Sequence, residues 1–187
     1  MTSDRTSHLE FQHTIEGLFV NALGADMSPE LKDKLRKAGL DLSKPLEPAY
    51  PSMKYMEWLR ITALHLTPGL PVSEGVRTLG RRFLRGYGET FLGKTVFKVM
   101  RLIGVRRSLD RIARSFRTGD NYSDATLNWI DKSEVHITFN EVHDLPTYNQ
   151  GILEQILIEM RAEEYGVEVL SCPSGVEAVY RVTWKDV

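Results

Sequence analysis

The chain has 187 residues, of which 42% are hydrophobic and 26% are charged. This composition is typical of a globular protein and excludes a collagen-like or intrinsically disordered chain. The single cysteine, Cys172, excludes an intramolecular disulfide and a metal cluster held by several thiolates of one chain. The N-terminal residues MTSDRTSHLE are polar and indicate neither a signal peptide nor a membrane-spanning helix, so we expect a cytoplasmic protein without membrane insertion.

The net charge of −1 conceals three segments of different charge. Residues 1–71 carry 8 basic and 9 acidic side chains, residues 72–118 carry 12 and 3, and residues 119–187 carry 4 and 13. A basic segment followed by an acidic one has two explanations. The basic segment binds an external anion, or the two segments contact each other within the fold.

The sequence predicts a disordered tail over residues 1–12, followed by one α+β domain over residues 13–187. The first lobe, 13–117, contains about five helices. Ile15, Leu18, Phe19 and Leu23 fit the stripe of the first helix, and Ser28 caps a second helix that stops at Gly39. The other helices are expected after Ser52, after Ser73, over residues 89–103 ending at Gly104, and over residues 106–115.

The second lobe, 118–187, has the order β-β-α-β-β and predicts an antiparallel four-stranded sheet. Strands are expected over residues 125–130, 134–140, 167–171 and 178–184, with a helix over residues 148–164. In the second strand, Val135, Ile137 and Phe139 alternate with polar residues, which is typical of a sheet that buries one face.

The stretch GETFLGKT, residues 88–95, has the letter pattern of a P-loop. A P-loop follows a buried strand, whereas the preceding stretch VRTLGRRFLRGY has helical spacing. The stretch is therefore predicted to be a corner between two helices, with Gly86 and Gly88 ending the first and Thr90 capping the second. Since no nucleophile or dinucleotide-binding motif occurs either, the chain is not expected to be an enzyme.

The five histidines do not have the spacing of a metal site, so neither a metal nor a cofactor is predicted. His136 and His143 flank a strand end near Glu141 and Asp144, and both are expected to be exposed to solvent. His65 lies at the end of a helix, where it is expected to cap the last carbonyl groups; ligation of a haem is the alternative.

The stretch RSFRTGDNY, residues 114–122, joins the helical lobe to the sheet lobe. Arg114, Arg117, Asn121 and Tyr122 are candidates for a polar clamp on an anionic ligand. The alternative is that Arg117 is structural and partly buried, and fixes the junction by pairing with a carboxylate such as Asp120 or Asp124. The candidate apolar lining of the same pocket lies on the preceding helices and consists of Phe83, Tyr87, Phe91 and Met100.

Three stretches, TIEGLFVNALG, LGRRFLRGYGETFLGK and FRTGDNYSDATL, resemble a family of uncharacterised proteins abundant in myxobacteria, over residues 13–184. The element order is also similar to that of haem–nitric oxide binding domains and of vinyl-reductase-type ligand-binding domains with the related transport-particle subunits. This resemblance implies a small-molecule or lipid-like ligand between the helices and the sheet. The Tyr-x-Ser-x-Arg clamp for haem propionates is missing. The nearest string, Tyr50-Pro51-Ser52-Met53-Lys54, ends in lysine and precedes His65, so haem is not expected.

These observations predict a non-enzymatic ligand-binding or sensory module used in signalling. Its pocket is expected between the three helices over residues 73–115 and the sheet. One alternative is a nucleic-acid-binding protein that uses segment 72–118, in which Arg77, Arg81 and Arg85 form a stripe on one helix. Another alternative is a scaffold that docks a protein partner, or a second copy of the chain, through its charges.

Overall fold

A computed structural model describes residues 5–89, 91–113 and 116–185, with the side chains of 91–93 excepted. It has the predicted α+β architecture, in which a helical half precedes two strands, a helix and two further strands. No helix in these ranges is both long and apolar enough to cross a bilayer.

Residues 5–12, which were predicted to belong to a disordered tail over residues 1–12, contain regular secondary structure. Arg5–Ser7 form a 3-10 turn, and β1 (Leu9–Phe11) pairs antiparallel with β2 (Ala49–Pro51). Glu10 of β1 also forms an isolated antiparallel bridge with Asp120. Strands of three residues are too short to show a period of two in the sequence, so both strands were missed.

The first helices form as their sequence signals predict. The helix α1 (Gln12–Ile15) continues as a π-helix over Glu16–Ala22, and its stripe of Ile15, Leu18, Phe19 and Leu23 is buried. The helix α2 (Pro29–Lys37) starts at Ser28, whose Oγ accepts a hydrogen bond from the Leu31 amide at 3.1 Å. The helix α3 spans Ser52–Leu66 and buries Met56, Leu59 and Ala63, but Ser52 is its first residue rather than the cap before it, as was predicted.

Two glycines bring the helices α4 (Val72–Glu89) and α6 (Pro146–Glu159) into backbone contact. A Cβ at Gly80 would lie 2.1 Å from the carbonyl oxygen of Tyr148, and a Cβ at Gly151 would lie 2.0 Å from that of Arg77. Gly86 and Gly88 do not end α4 as predicted, because the helix continues to Glu89. Gly86 instead allows Ala22 to approach closely.

The helix α5 (Phe91–Ala113) is broken at Gly104, where φ is 81° and ψ is 167°, as the two predicted helices require. Because α4 ends at Glu89 and α5 begins at Phe91, GETFLGKT lies at a corner between helices. The residues before Gly88 are helical rather than the strand of a P-loop. Thr90, the predicted cap, lies outside the described residues.

The sheet contains β3 (Ala125–Trp129), β4 (Glu134–Phe139), β5 (Glu163–Ser171) and β6 (Ala178–Lys185) in the order β3-β4-β6-β5, with every pair antiparallel. Its buried face combines the predicted alternating residues of β4 with matching residues of β6: Val135, Ile137, Phe139, Ala178, Tyr180, Val182 and Trp184.

The basic segment and the acidic segment contact each other at several points. Arg77 and Arg81 of α4 both bind Glu154 of α6, and Arg101 of α5 pairs with Glu159 at 2.9 Å. Arg106 donates to the carbonyl oxygen of Asp131 and covers the Trp129 ring, with 4.1 Å from its guanidinium carbon to the ring centroid. These contacts favour the explanation in which the two charged segments face each other.

Candidate ligand-binding cavity

A cavity of about 630 Å³ lies between elements from both halves of the chain. Most of its lining is apolar and comes from α4, α5 and α6. These helices contribute Phe83, Leu84, Tyr87, Val96, Phe97, Met100, Ile112, Ile152 and Ile156. Tyr87 and Phe97 contact edge to face, with ring centroids 6.1 Å apart, so this side of the cavity is formed by packed rings and aliphatic side chains.

Five residues give the cavity a polar side, which we call the polar wall: Glu10, Tyr55, Asp120, Tyr122 and Tyr148. The hydroxyl of Tyr122 donates to Glu10 Oε1, and the hydroxyls of Tyr55 and Tyr148 are 2.5 Å apart. Asp120 Oδ1 accepts from the backbone amides of Tyr122 and Ser123, at 2.9 and 2.6 Å. The bridge between Glu10 and Asp120 holds two carboxyl groups on the same wall.

Glu10 is buried at 4% exposure, and no basic side chain of the described residues forms an ion pair with it. Burial, together with the neighbouring Asp120, raises the pKa of the Glu10 carboxyl to about 8, although the Tyr122 hydrogen bond opposes the shift. Burial also raises the pKa of Asp120. At neutral pH, Glu10 is therefore largely protonated and can donate a hydrogen bond as well as accept one.

The tyrosines of the polar wall remain protonated at any physiological pH. Burial is the main cause that raises the pKa of Tyr55, Tyr122 and Tyr148, and the nearby Glu10 raises all three further. Three neutral hydroxyls and two carboxyl groups therefore face the cavity. The polar wall can offer hydrogen bonds of both directions but no fixed positive charge.

A second polar group, which we call the histidine cluster, consists of His8, Glu141 and His143. His143 was expected to be exposed, but it follows the end of β4 in a loop that folds inward, and only 1% of it is exposed. The Tyr122 ring stacks on His8 with centroids 4.6 Å apart and contacts His143 edge to face at 4.8 Å. Glu141 and His143 line the cavity beside the polar wall.

Four of the eight predicted ligand-binding residues line the cavity: Phe83, Tyr87, Met100 and Tyr122. The Phe91 side chain and Arg114 lie outside the described residues.

The other two predicted residues, Arg117 and Asn121, do not line the cavity. The Arg117 side chain is 70% exposed and pairs with Asp124 at 3.1 Å, which confirms one predicted partner but not the partial burial. Asn121 accepts from the Leu9 amide and donates to the Ser7 carbonyl oxygen, so it fixes the N-terminal segment.

The cavity also differs from the predicted pocket in its far wall. The three helices over residues 73–115 do contribute, but none of the described residues of β3, β4, β5 or β6 lines the cavity. The helix α6 and residues 141–145 take the place of the sheet. His65 does not cap carbonyl groups as predicted, because its Nε2 lies 3.0 Å from the Ser28 Oγ at the contact between α2 and α3.

Comparison with known proteins identifies a family and a fold. A family model described as "Protein of unknown function (DUF2378)" matches residues 8–185. The comparison with curated proteins gave no significant match.

Solved structures of H-NOX domains are similar to the chain over most of its length. A structure that explains H-NOX activation has 16% identity and a TM-score of 0.69, with 95% of this chain and 97% of that chain covered. One that probes haem distortion in the H-NOX family has 17% identity and a TM-score of 0.66, with 92% and 94% covered. An oxygen-binding H-NOX domain related to soluble guanylate cyclases has 16% identity and a TM-score of 0.63, with 93% and 90% covered. At such identities the likeness shows an H-NOX-like fold.

Proposed function

The chain belongs to the DUF2378 family, whose function is unknown, and we propose from its cavity that it is a non-enzymatic ligand-binding module. It would hold a small apolar or lipid-like molecule and act as a sensory domain in cytoplasmic signalling. The H-NOX-like fold supports this proposal by analogy, since one similar domain binds oxygen.

The observation that carries the proposal is the cavity itself. Its volume of about 630 Å³ lies within the range of roughly 300–1,000 Å³ that small-molecule sites occupy. Close packing normally leaves few voids larger than a water molecule, so a mostly apolar space of this size is a candidate for a bound molecule. A mainly apolar lining with a few polar groups on one side is also typical of ligand sites.

The polar wall defines which polar group the ligand would carry. Asp120 would repel a carboxylate or phosphate, whereas the protonated Glu10 and the three tyrosine hydroxyls can donate hydrogen bonds to, and accept them from, a neutral polar group. This differs from the anionic ligand for which Arg114 and Arg117 were candidates, because Arg117 pairs with Asp124 outside the cavity. The proposed ligand therefore has an apolar body and an uncharged polar head.

Haem does not fit the residues that line the cavity. Its two propionates require cationic partners, yet three carboxyl groups line the cavity: Glu10, Asp120 and Glu141. Arg111 is the one arginine or lysine that lines it among the described residues. The nearest string to the propionate clamp lies elsewhere, since Lys54 is exposed and pairs with Glu57. No role for haem is therefore derived for this chain.

The two alternative functions, nucleic-acid binding and the docking of a protein partner, gain no support from the ion pairs within the fold. Arg77 and Arg81 supply two of the three side chains in the arginine stripe, and both bind Glu154 within the fold. A phosphate backbone would have to compete with a buried carboxylate for these two side chains. The same contacts use charges that a docking scaffold would present to its partner.

Binding of the uncharged fluorophore prodan tests the proposal. The wild-type chain is expected to bind one prodan with a blue shift of its emission, because the probe moves from water into an apolar space. Val96→Trp places a large ring in the cavity and is expected to weaken prodan binding by at least about tenfold, or 1.4 kcal/mol. Mass spectrometry of the gently purified protein would identify any ligand that is retained.

Val99→Trp is the matched control, because Val99 lies on the same helix, is 43% exposed and does not line the cavity. It is expected to leave prodan binding unchanged. Equal loss in both variants would show that prodan binds outside the cavity, and absence of saturable binding to the wild type would count against an apolar ligand site.

A further inference from the structure

The buried imidazole of His143 is the least expected polar group in the described part of the chain. Neither of its ring nitrogens has a hydrogen-bond partner, although only 1% of the residue is exposed. Burying a polar group without a hydrogen-bond partner is unfavourable. Such a group requires an explanation, and an ion that binds there is one of the usual ones.

The neighbours of His143 supply the other donors of a metal site. One ligand atom each from His8, Glu141 and His143 can be chosen so that all three lie within 4.8 Å of one another. These residues come from the segment before β1 and from the loop after β4, so the fold brings them together across more than half of the chain. The rings of His8 and His143 are oriented by their contacts with Tyr122.

The carboxylate of Glu141 is held in place by hydrogen bonds but can still accept one more interaction. Arg5 donates to Oε2 at 3.1 Å and to Oε1 at 2.9 Å, and the His143 amide donates to Oε1 at 2.8 Å. A carboxylate has about four lone-pair sites, so about one remains for a metal ion. An arginine that holds a ligating carboxylate in place is the kind of outer contact that metal sites commonly use.

Two imidazoles and one carboxylate form a donor set that suits zinc and similar ions of the first transition series, rather than magnesium or calcium. A metal ligand must be a neutral imidazole. The burial of His143 favours this neutral form of the ring.

We propose that His8, Glu141 and His143 bind one divalent transition-metal ion of the zinc class at the edge of the cavity. Three protein ligands leave a fourth position for water or another molecule, as in open metal sites. Because Glu141 and His143 line the cavity, that position would be accessible to a molecule held there. The site goes beyond the proposed apolar ligand and does not depend on it.

Metal titration of protein without a polyhistidine tag tests the site. After dialysis against a chelator, Zn²⁺ is expected to bind with a stoichiometry of one and to raise the melting temperature. Co²⁺ is expected to give the visible absorption of a site with nitrogen and oxygen ligands. His143→Leu should weaken Zn²⁺ binding by at least about tenfold, or 1.4 kcal/mol.

His143→Leu also separates a lost ligand from a lost fold. Its imidazole has no hydrogen bonds to lose, so the metal-free variant is expected to melt at or above the temperature of the metal-free wild type. His136→Leu is the control, because His136 lies on β4 outside the cluster and should keep full Zn²⁺ affinity. The proposal is overturned if the wild type binds no Zn²⁺, or if His143→Leu binds it as tightly as the wild type. Prodan binding to metal-free protein tests the cavity separately.

Discussion

Glu154 and Glu10 are both almost completely buried, but their surroundings differ. The Glu154 side chain is 5% exposed and accepts hydrogen bonds from Arg77 and Arg81 of the facing helix. Glu10 is 4% exposed and has a tyrosine hydroxyl as its side-chain partner, with a second carboxyl group, Asp120, nearby. Burying a carboxylate is costly unless it is paired, so only Glu154 has the environment expected of a structural charge.

The difference separates a part of the molecule built for stability from a part built around a cavity. At the contact of α4 and α6, opposite charges and close backbone packing act together. At the polar wall, two buried acidic groups lie close together, and burial makes the ionised form of each unfavourable. Groups that are unfavourable for stability tend to occur at binding sites, so the comparison supports the assignment of the cavity.

The largest effect is expected at the paired carboxylate. Glu154→Ala leaves Arg77 and Arg81 without their shared acceptor and should lower the free energy of unfolding by about 2 kcal/mol, since both arginines are partly exposed and regain some hydration. The melting temperature should fall by roughly 4–8 °C. Glu57→Ala removes an exposed pair with Lys54 and should change stability by no more than about 0.5 kcal/mol. Equal changes in the free energy of unfolding in the two variants would show that Glu154 has no special structural role.

Glu10→Gln should raise the free energy of unfolding, by an amount that depends on pH. Because the folded protein raises the pKa of Glu10 from 4.5 to about 8, folding favours the protonated form, and the wild type loses stability as pH rises through this interval. Glutamine does not ionise, so the variant should match the wild type near pH 4.5 and exceed it by on the order of 1–2 kcal/mol above pH 8. Thermal unfolding between pH 4.5 and 9, with a chelator present, measures this difference.

Glu154→Gln serves as the reference for that experiment. It also replaces a buried carboxylate by an amide, but it removes the negative charge that two arginines need, so it should destabilise the protein at pH 8. If Glu10→Gln and Glu154→Gln changed stability in the same direction at pH 8, the contrast between the two carboxylates would be wrong.

The smallest effect is expected for Arg117→Ala. Arg117 was predicted to be partly buried at the junction, which would make its loss cost roughly 1–3 kcal/mol. Its side chain is 70% exposed, and its partner Asp124 is half exposed, so the pair should contribute no more than about 0.5 kcal/mol. The melting temperature of the ligand-free variant is expected to stay within roughly 2 °C of the wild type. A fall of 5 °C or more would show that Arg117 has the structural role expected of a partly buried residue.

The parts of the fold that the sequence predicts well are those with a local physical signal. Ser28 starts a helix because its hydroxyl accepts a hydrogen bond from a backbone amide that has no partner within the helix. Gly104 interrupts a helix because glycine tolerates a positive φ. The alternation of Val135, Ile137 and Phe139 reveals a sheet with one buried face. Phe83, Tyr87 and Met100 were recognised as pocket candidates because they follow a helical stripe.

The missed part of the site depends on pairs that are distant in the sequence. Glu10 faces the cavity because β1 pairs with β2 and forms a bridge with Asp120, and a strand of three residues is too short to show a period of two in the sequence. Tyr148 meets Tyr55 across 93 positions, and His143 lies in an irregular loop. One signal was present in the sequence, namely Glu141 and two histidines around a strand end. It gave no recognised ligand spacing, because His8 completes the cluster from the other end of the chain.

The close approach of α4 and α6 at Gly80 and Gly151 has a mechanical consequence for the cavity. Since the backbones of α4 and α6 touch, these helices cannot move closer, and the arginines on Glu154 resist their separation. They therefore form one fixed side of the cavity. Arg101 of α5 pairs with Glu159 and ties the adjoining lining to the same side. A ligand of different size would thus have to be accommodated by the side chains that line the cavity, rather than by a change in the spacing of α4 and α6.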